Sequence, residues 1–95
     1  MRVISDKAIR EFRQKHPDSK TALTAWHATT KRATWGNLAE MKADFPSADL
    51  VGRRTVFNIK GNSYRLIARV NHTTQKVFIL YILTRAEYDK GDWKK

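Results

Sequence analysis

The second half of the chain is dominated by a stretch, residues 50 to 86, that carries seven Lys or Arg and no Asp or Glu. Two segments that begin within it, VFNIKGNSYRLIARV and VFILYILTRAEYD, predict neighbouring β-strands. Because alternate side chains of a strand lie on the same face of a sheet, the basic residues should gather on one surface that few carboxylates neutralise. Such a surface suits phosphate, and RNA is the leading candidate.

Composition narrows the class of partner. The chain has 95 residues, which predicts a single domain spanning 1–95. A formal net charge of +10 and a pI near 10.3 favour a polyanion, with nucleic acid ahead of an anionic membrane or an acidic protein. The chain has no cysteine, which excludes disulfides and Cys-ligated zinc and fits the cytoplasm. The longest apolar run, Val77 to Leu83, is far shorter than the roughly 20 residues of a membrane helix.

The apolar pattern of the first half is helical. A short β-branched segment at 2–4 predicts an opening strand, which we expect to join the later sheet. Apolar residues then recur at helical spacing on both sides of Pro17, and Trp26 and Trp35 are predicted to lie in the core. Asn37 is the expected N-cap of a third, shorter helix.

The pattern of the second half is alternating. Residues 55–59, 64–70 and 76–83 predict three antiparallel strands, with a tight turn at 60–62 between the first two. This order predicts an α+β fold, in which an N-terminal strand and two to three helices pack on one face of a small, mostly antiparallel sheet. The opposite face would be free, and the segment from Thr84 onward is a polar, charged tail.

Cationic side chains at regular spacing point to phosphate binding. Arg65 and Arg69 lie four residues apart on one predicted strand, hence on the same face and roughly 13 Å apart. Cations held on a rigid strand can clamp successive phosphates of a single-stranded backbone. We therefore predict RNA contacts for Arg69, Asn58, Lys60 and Arg53. The alternative, that the two arginines are ordinary solvated residues of an exposed face, stays open.

Polar residues also follow the last predicted strand. Arg85 lies where the chain leaves the sheet, which is a good position for aiming a side chain at a ligand. Tyr88 could stack on a base or bind a phosphate, or it could anchor the tail as a half-buried ring. Glu87 is a further candidate for proton transfer.

No metal or cofactor is expected. His16, His27 and His72 lie on three separate predicted elements, without HxxxH or HExxH spacing. The acidic residues are scattered, unlike the clustered carboxylates of a two-metal nuclease. No glycine-rich phosphate loop is present. The remaining chemistry is that of arginines and polar side chains.

Three segments, MRVISDKAIREF, VFNIKGNSYRLIARV and TRAEYDKGDWKK, resemble HigB-type toxins of bacterial toxin–antitoxin systems, which belong to the RelE superfamily of mRNA interferases. The resemblance runs through nearly the whole chain. It implies a RelE-like α+β domain that cuts mRNA, usually on the translating ribosome. It also implies a cognate antitoxin with a helix-turn-helix region, and a toxin that is itself monomeric within the complex.

The resemblance implies roles for some residues, and it shows that some residues of the family pattern are missing from this chain. Arg65 matches a phosphate-binding arginine of the superfamily, and Asn58 occupies the outward position beside it. In the RelE branch, lysines stand where this chain has Val56 and Asn58, so the lysine base of that branch is missing here. HigB-type sequences commonly read THxEYD, whereas this chain has Arg85 in place of the histidine. An arginine stays protonated, which leaves charge stabilisation available but not proton exchange.

The sequence thus predicts a metal-independent endoribonuclease that inhibits translation as the toxin of a toxin–antitoxin pair. The predicted catalytic residues are Arg65, Arg85, Glu87 and Tyr88, and the predicted RNA-binding residues are Asn58, Lys60, Arg69 and Arg53. The alternative is a non-catalytic RNA-binding module, or an inactivated toxin, with the same basic sheet surface. An adaptor for an acidic protein is a third interpretation, and it is compatible with the first because an antitoxin could occupy the same face.

Overall fold

The computed structural model describes residues 1–94, which form four α-helices, five β-strands and two short 3₁₀ turns. In chain order these are β1 (Arg2–Ile4), α1 (Asp6–Lys15), a 3₁₀ turn (Pro17–Ser19), α2 (Lys20–Arg32), α3 (Leu38–Asp44), β2 (Asp49–Val51), β3 (Arg54–Ile59), β4 (Tyr64–Asn71), β5 (Lys76–Thr84), α4 (Arg85–Lys90) and a second 3₁₀ turn (Asp92–Lys94). Within residues 1–94, no helix is long and apolar enough to cross a membrane.

The five strands form one sheet in the order β1-β5-β4-β3-β2. β1 pairs with β5 in parallel, and the three other pairs are antiparallel. The predicted α+β fold with a mostly antiparallel sheet is therefore confirmed, as is the opening strand's place in it. The short edge strand β2 was not predicted, because three residues between a proline turn and Gly52 are too few to show an alternating pattern.

Helices α1 to α3 cover one face of the sheet and form the main core with it. Trp26 of α2 packs edge-on against Phe57 of β3, with ring centroids 5.4 Å apart. Leu66, at the centre of β4, has no exposed surface. Trp35 is also buried and packs edge-on against Phe45. The core positions predicted for Trp26 and Trp35 are confirmed.

Two local predictions about turns and caps are also confirmed. The Asn37 side chain accepts a hydrogen bond from the backbone N–H of Glu40, which caps α3. Lys60 and Gly61 both have positive φ, at 53° and 61°, in the turn that joins β3 to β4. Glycine adopts this left-handed conformation without strain, which explains why the strands reverse direction here.

The polar tail is folded back onto the sheet, which the sequence pattern did not predict. Its residues 85–90 form α4, and Trp93 beyond it is only 3% exposed. Trp93 packs with Val56 and Ile67 in a second, smaller apolar cluster on the face opposite the helices α1 to α3. The expectation of a wholly free second face is therefore wrong at its centre. A six-residue helix has too few turns to show a helical period in its sequence.

Replacing Leu66 with alanine should lower the free energy of unfolding by about 2–5 kcal/mol, because a packed core closes only partly around the resulting cavity. Urea denaturation followed by circular dichroism measures the change. Leu50→Ala is the matched control, since it removes the same atoms from a side chain that is 53% exposed. We expect it to cost about 0.5 kcal/mol. Equal losses in the two variants would contradict the assignment of the core.

Candidate nucleic-acid interface

Strand register brings the outward residues of β3, β4 and β5 into rows on the face opposite helices α1 to α3, hereafter the helix-free face. Asn58 lies opposite Arg65, and Arg65 lies opposite Leu83 on its other side. The next row holds Val56, Ile67 and Tyr81. The predicted neighbourhood of Asn58 and Arg65 is thus formed by direct strand pairing.

A β-bulge in β5 decides which side chains of that strand reach the helix-free face. Ile67 pairs with Tyr81 while Ala68 pairs with Ile79, so Leu80 is an extra residue without an opposite partner. The bulge reverses the alternation, and Tyr81 therefore lies on the helix-free face. Tyr81 could not be assigned to this face from the sequence, because a continuous apolar run gives no alternation from which to infer a face.

The Arg65 guanidinium is held by neutral groups rather than by a carboxylate. Its Cζ lies 5.3 Å from the centre of the Tyr88 ring, within the range of a cation–π contact. Its Nη1 donates to the Tyr64 carbonyl at 3.3 Å, and its Nη2 lies 3.5 Å from the Asn62 side-chain oxygen. No carboxylate in residues 1–94 forms an ion pair with it. Arg65 is therefore oriented but still able to bind an anion.

Arg85 lies at the same end of the sheet as Arg65. As the first residue of α4, it donates its backbone N–H to the carbonyl of Ser63, just before β4 begins. Its guanidinium Nε lies 4.0 Å from Asp89, and both side chains are 65% exposed. An exposed ion pair of this length contributes little. Arg65, Tyr88 and Arg85 therefore lie at one end of the sheet.

Glu87 has a structural role in this region. Its carboxylate accepts a hydrogen bond from the backbone N–H of Thr84 at 2.9 Å, while its own N–H donates to the Thr84 hydroxyl. This capping box begins α4. The hydrogen bond from Thr84 holds the pKa of Glu87 below its ordinary value, with a smaller contribution from the nearby His16. A carboxylate stabilised in its charged form is a weaker proton acceptor, so the geometry gives less support to Glu87 as the general base.

Lys60 lies toward the helices rather than on the helix-free face. Its ammonium group contacts Asp18 at 2.8 Å, and the Tyr64 hydroxyl donates to the same carboxylate at 2.7 Å. The bonds from Lys60 and then Tyr64 lower the pKa of Asp18, and the bond to Asp18 raises the pKa of Tyr64. This contact ties the β3–β4 turn to the 3₁₀ turn before α2. The RNA contact of Lys60 stays a prediction, and its charge is already shared with a carboxylate.

The C-terminal segment is fastened to the helix-free face through Arg54, a residue that the sequence analysis missed. The Arg54 guanidinium donates to the backbone carbonyl of Trp93 and lies 5.9 Å from the Tyr81 ring. The Trp93 indole N–H donates to the Tyr88 carbonyl at 3.0 Å, and the two rings stack with centroids 5.0 Å apart. Tyr88 is thus held between Trp93 and Arg65. Arg54 shares the outward alternation of Asn58, which is the signal that could have identified it.

Arg53 and Arg69 lie apart from Arg65, beside a groove near the β2–β3 turn. Both side chains are exposed. The three histidines remain apart, and residues 1–94 contain no cluster of three or more His, Cys, Asp or Glu arranged for a metal ion. The predicted site residues therefore fall into a centre around Arg65 and a second basic region around Arg69.

The Asp18 contacts should make stability depend on pH. Because the folded-state pKa of Asp18 is lower than its ordinary value of 3.8, its contribution is complete above that value and is lost as the pH falls through the folded-state pKa. The free energy of unfolding of the wild type should therefore drop more between pH 7 and pH 3 than that of Asp18→Asn. Urea titrations at both pH values measure this, with Asp49→Asn on the edge strand β2 as the control. A wild-type drop equal to that of Asp18→Asn would contradict the assignment.

Comparison with known proteins identifies relatives along almost the whole chain. The model of the HigB toxin family, described as the RelE-like toxic component of a toxin–antitoxin system, matches residues 19–91. The mRNA interferase toxin HigB of Escherichia coli K12 is 35% identical over 92 residues, which cover 94% of this chain and 88% of that protein. The mRNA interferase HigB of Shigella flexneri shows the same values. That of Escherichia coli O6:H1 is 31% identical over 93 residues, covering 95% and 90%.

Proposed function

We infer that this chain, which belongs to the HigB family of RelE-like toxins, is a toxin that cleaves messenger RNA. Its relatives in Escherichia coli and Shigella flexneri are named mRNA interferases, and the helix-free face supplies a site suited to the same substrate. The observation that carries the proposal is the environment of Arg65. Its guanidinium is fixed on the face by Tyr88 and by neutral oxygens, and no carboxylate of residues 1–94 neutralises it.

The proposed reaction is an internal transesterification of RNA. The 2′-OH of one nucleotide loses its proton and attacks the adjacent phosphorus in line. The bond to the 5′-oxygen of the next nucleotide breaks, and that oxygen takes up a proton as it leaves. The products are a 2′,3′-cyclic phosphate and a 5′-OH end. Negative charge builds up on the phosphoryl oxygens in the transition state, and fixed cations stabilise it most when they need not reorganise. Arg65 meets this requirement because its neighbours hold it in place before RNA binds.

Arg85 supplies a second positive charge near the same phosphate. It stands where HigB-type sequences commonly carry a histidine. Unlike a histidine, an arginine stays protonated at neutral pH and cannot exchange a proton there. Among residues 1–94, its exposed side chain makes only a long contact with Asp89, and an RNA phosphate would compete well for it. We propose that Arg85 neutralises charge on the phosphoryl group or on the leaving oxygen.

Two residues, Glu87 and Tyr88, are candidates for the proton transfer. Glu87 is engaged in the capping box, and its pKa is lowered. Tyr88 lies against Arg65 and is held from behind by Trp93, which supports Tyr88 over Glu87 as the group that meets the reacting oxygens. Asn58, opposite Arg65 in the strand ladder, is proposed to contact the adjoining sugar–phosphate backbone. Arg69 and Arg53 keep the proposed role of holding RNA further from the cleaved bond. Lys60 lies toward the helices and is paired with Asp18, so we propose no contact for it on this face.

The proposed partners follow from the family. A toxin of a toxin–antitoxin system has an antitoxin, and we propose one with a helix-turn-helix region that binds a monomeric form of this chain. The net charge of +10 favours an acidic partner segment. We further propose that cleavage occurs in the cytoplasm on translating ribosomes, where messages are held in single-stranded form.

A non-catalytic RNA-binding role is the second candidate. It is favoured by Arg85 in place of the family histidine and by the lowered pKa of Glu87, both of which reduce the capacity for proton transfer. Induced expression in bacteria separates the two candidates. Growth arrest with loss of messages supports the nuclease, and normal growth with intact messages supports the binding module.

Arg65→Ala should reduce the rate of RNA cleavage by about 10²-fold or more, because a fixed group that stabilises transition-state charge is removed. Primer extension on a message incubated with ribosomes measures the rate. Lys20→Ala is the matched control, since it removes an exposed cation from the start of α2, and it should retain wild-type cleavage. Equal effects of the two substitutions would refute the site, and cut ends other than a 2′,3′-cyclic phosphate and a 5′-OH would refute the mechanism.

Substitutions at Arg85 should distinguish charge from proton exchange. Arg85→Lys should retain more cleavage than Arg85→Ala, because a positive charge remains. Arg85→His should make the rate depend on pH around the ordinary histidine pKa of about 6.5. The measurement is a pH–rate profile of each variant on one RNA. If the wild-type profile already inflects near that pH, and the inflection persists in Arg85→Ala, another residue exchanges the proton.

A further inference from the structure

A second basic site lies beside the cleavage centre on the helix-free face. It is an open groove of about 430 Å³, and the residues that line it include Arg53, Arg54, Arg69, Trp93 and Lys94. Four of these five side chains are cationic, and none of the residues within 1–94 that line the groove is acidic. The groove thus has the charge to attract a phosphate group.

The arginines of this groove are available to a ligand. Arg53 and Arg69 are exposed, and neither forms an ion pair with a carboxylate of residues 1–94. Arg54 is different, because it donates to the Trp93 carbonyl and is partly buried. It adds charge to the floor of the groove and holds Trp93, while the two exposed guanidinium groups are free to bind phosphate oxygens through paired hydrogen bonds.

The distance between Arg65 and Arg69 along β4 shows how far the groove lies from the cleavage centre. Arg65 and Arg69 lie on the same face of β4, and four strand residues separate them by roughly 13 Å. That distance is longer than one nucleotide step of a single strand, so adjacent phosphates would not reach both arginines. The phosphate at Arg69 would therefore belong to a linkage about two steps from the bond held at Arg65.

Tyr81 lies in the row between these two positions. It pairs with Ile67, whose other neighbour is Val56, and both of these are buried, whereas Tyr81 is 39% exposed. The Arg54 guanidinium lies 5.9 Å from its ring and limits its orientation. An exposed, oriented aromatic ring between two cationic positions is suited to stacking on a base of a single strand.

We propose that the groove at Arg53 and Arg69 is a subsite for the RNA phosphate about two linkages from the cleaved bond, and that Tyr81 stacks on the base between them. This inference rests on the proposed function and extends it from one bond to a segment of substrate. An acidic antitoxin segment is the competing occupant. RNA is favoured because Arg65 and Arg69 lie on the same face of β4 at a spacing that a single-stranded backbone can follow. Trp93 covers Val56 and Ile67 between them, so the strand would pass beside Trp93, over the exposed Tyr81.

A methylphosphonate scan tests the subsite through binding. Single-stranded RNA carrying 2′-O-methyl groups resists the proposed cleavage, and one charged phosphate at a time is replaced by a neutral methylphosphonate. For the wild type, affinity should fall at the position bound by Arg65 and again at a position about two linkages away. In Arg53→Ala/Arg69→Ala the second decrease should disappear, because the arginines that bind that phosphate are gone. The first decrease should remain, because Arg65 binds its phosphate independently of the groove. The slope of log K against log salt should also become shallower by about 0.7 for each phosphate that the variant no longer binds.

The matched control is Arg10→Ala/Arg32→Ala, which removes two exposed charges from α1 and α2 on the other side of the sheet. It should keep both decreases in affinity. Tyr81→Phe should keep wild-type affinity, whereas Tyr81→Ala should lower it. The subsite is refuted if the scan shows only one sensitive position, or if the two double variants behave alike. It is also refuted if the groove variant keeps RNA affinity and loses only its affinity for the antitoxin.

The proposed function is tested separately in the same preparations. Cleavage of an unmodified message by the wild type reports on the nuclease activity, whereas the scan reports only on binding. A protein that shows two sensitive phosphates but cuts no message would retain the subsite and refute the nuclease. A protein that cuts the message but shows one sensitive phosphate would retain the nuclease and refute the subsite.

Discussion

The alternation of side chains along β4 is the constraint on which the rest of the structure depends. β4 lies at the centre of the sheet, between β3 and β5. Leu66 and Ala68 enter the main core, and Ile67 enters the second cluster on the other face. A shift of register by one residue would turn Arg65 and Arg69 into the main core and move Leu66 and Ala68 to the helix-free face. The two arginines are therefore held on the helix-free face by the burial of their neighbours, and not mainly by bonds of their own.

The C-terminal segment connects stability to the site. Trp93 fills the second cluster, and its carbonyl and indole N–H are bonded to Arg54 and to the Tyr88 backbone. The same contacts place the Tyr88 ring against Arg65. A substitution that loosens Trp93 would thus affect both the fold and the position of Tyr88. The site is preorganised because its supporting residues are also core residues.

Positive charge remains on the helix-free face because acidic residues make their contacts elsewhere. Asp18 and Glu87 are committed to a turn contact and a helix cap, and their pKa values are lowered. Arg65, Arg53 and Arg69 form no ion pair with a carboxylate in residues 1–94. The excess positive charge therefore remains on the face where a polyanion can reach it, and binding should weaken as salt increases.

Much of the fold was predictable from local signals. The period of two along residues 55–70 identified β3 and β4, and it placed Asn58 and Arg65 on one face, which the register confirms. Pro17 and Asn37 marked helix boundaries correctly. The tail helix was not predicted, because α4 is too short to show a period. The groove at Arg54 and Trp93 was missed because its two sides are 39 residues apart in the chain.

The fold class, the basic face and the grouping of Arg65 with Asn58 could all be inferred without coordinates, because alternation and charge can be read from neighbouring residues in the chain. Only the tertiary structure decided which face Tyr81 occupies, since a single unpaired residue in β5 reverses the alternation and leaves no trace in an apolar run. It also decided that Lys60 is bound to Asp18 and that Trp93 closes over β3 and β4. These outcomes depend on contacts between distant segments, which form only when the whole chain packs.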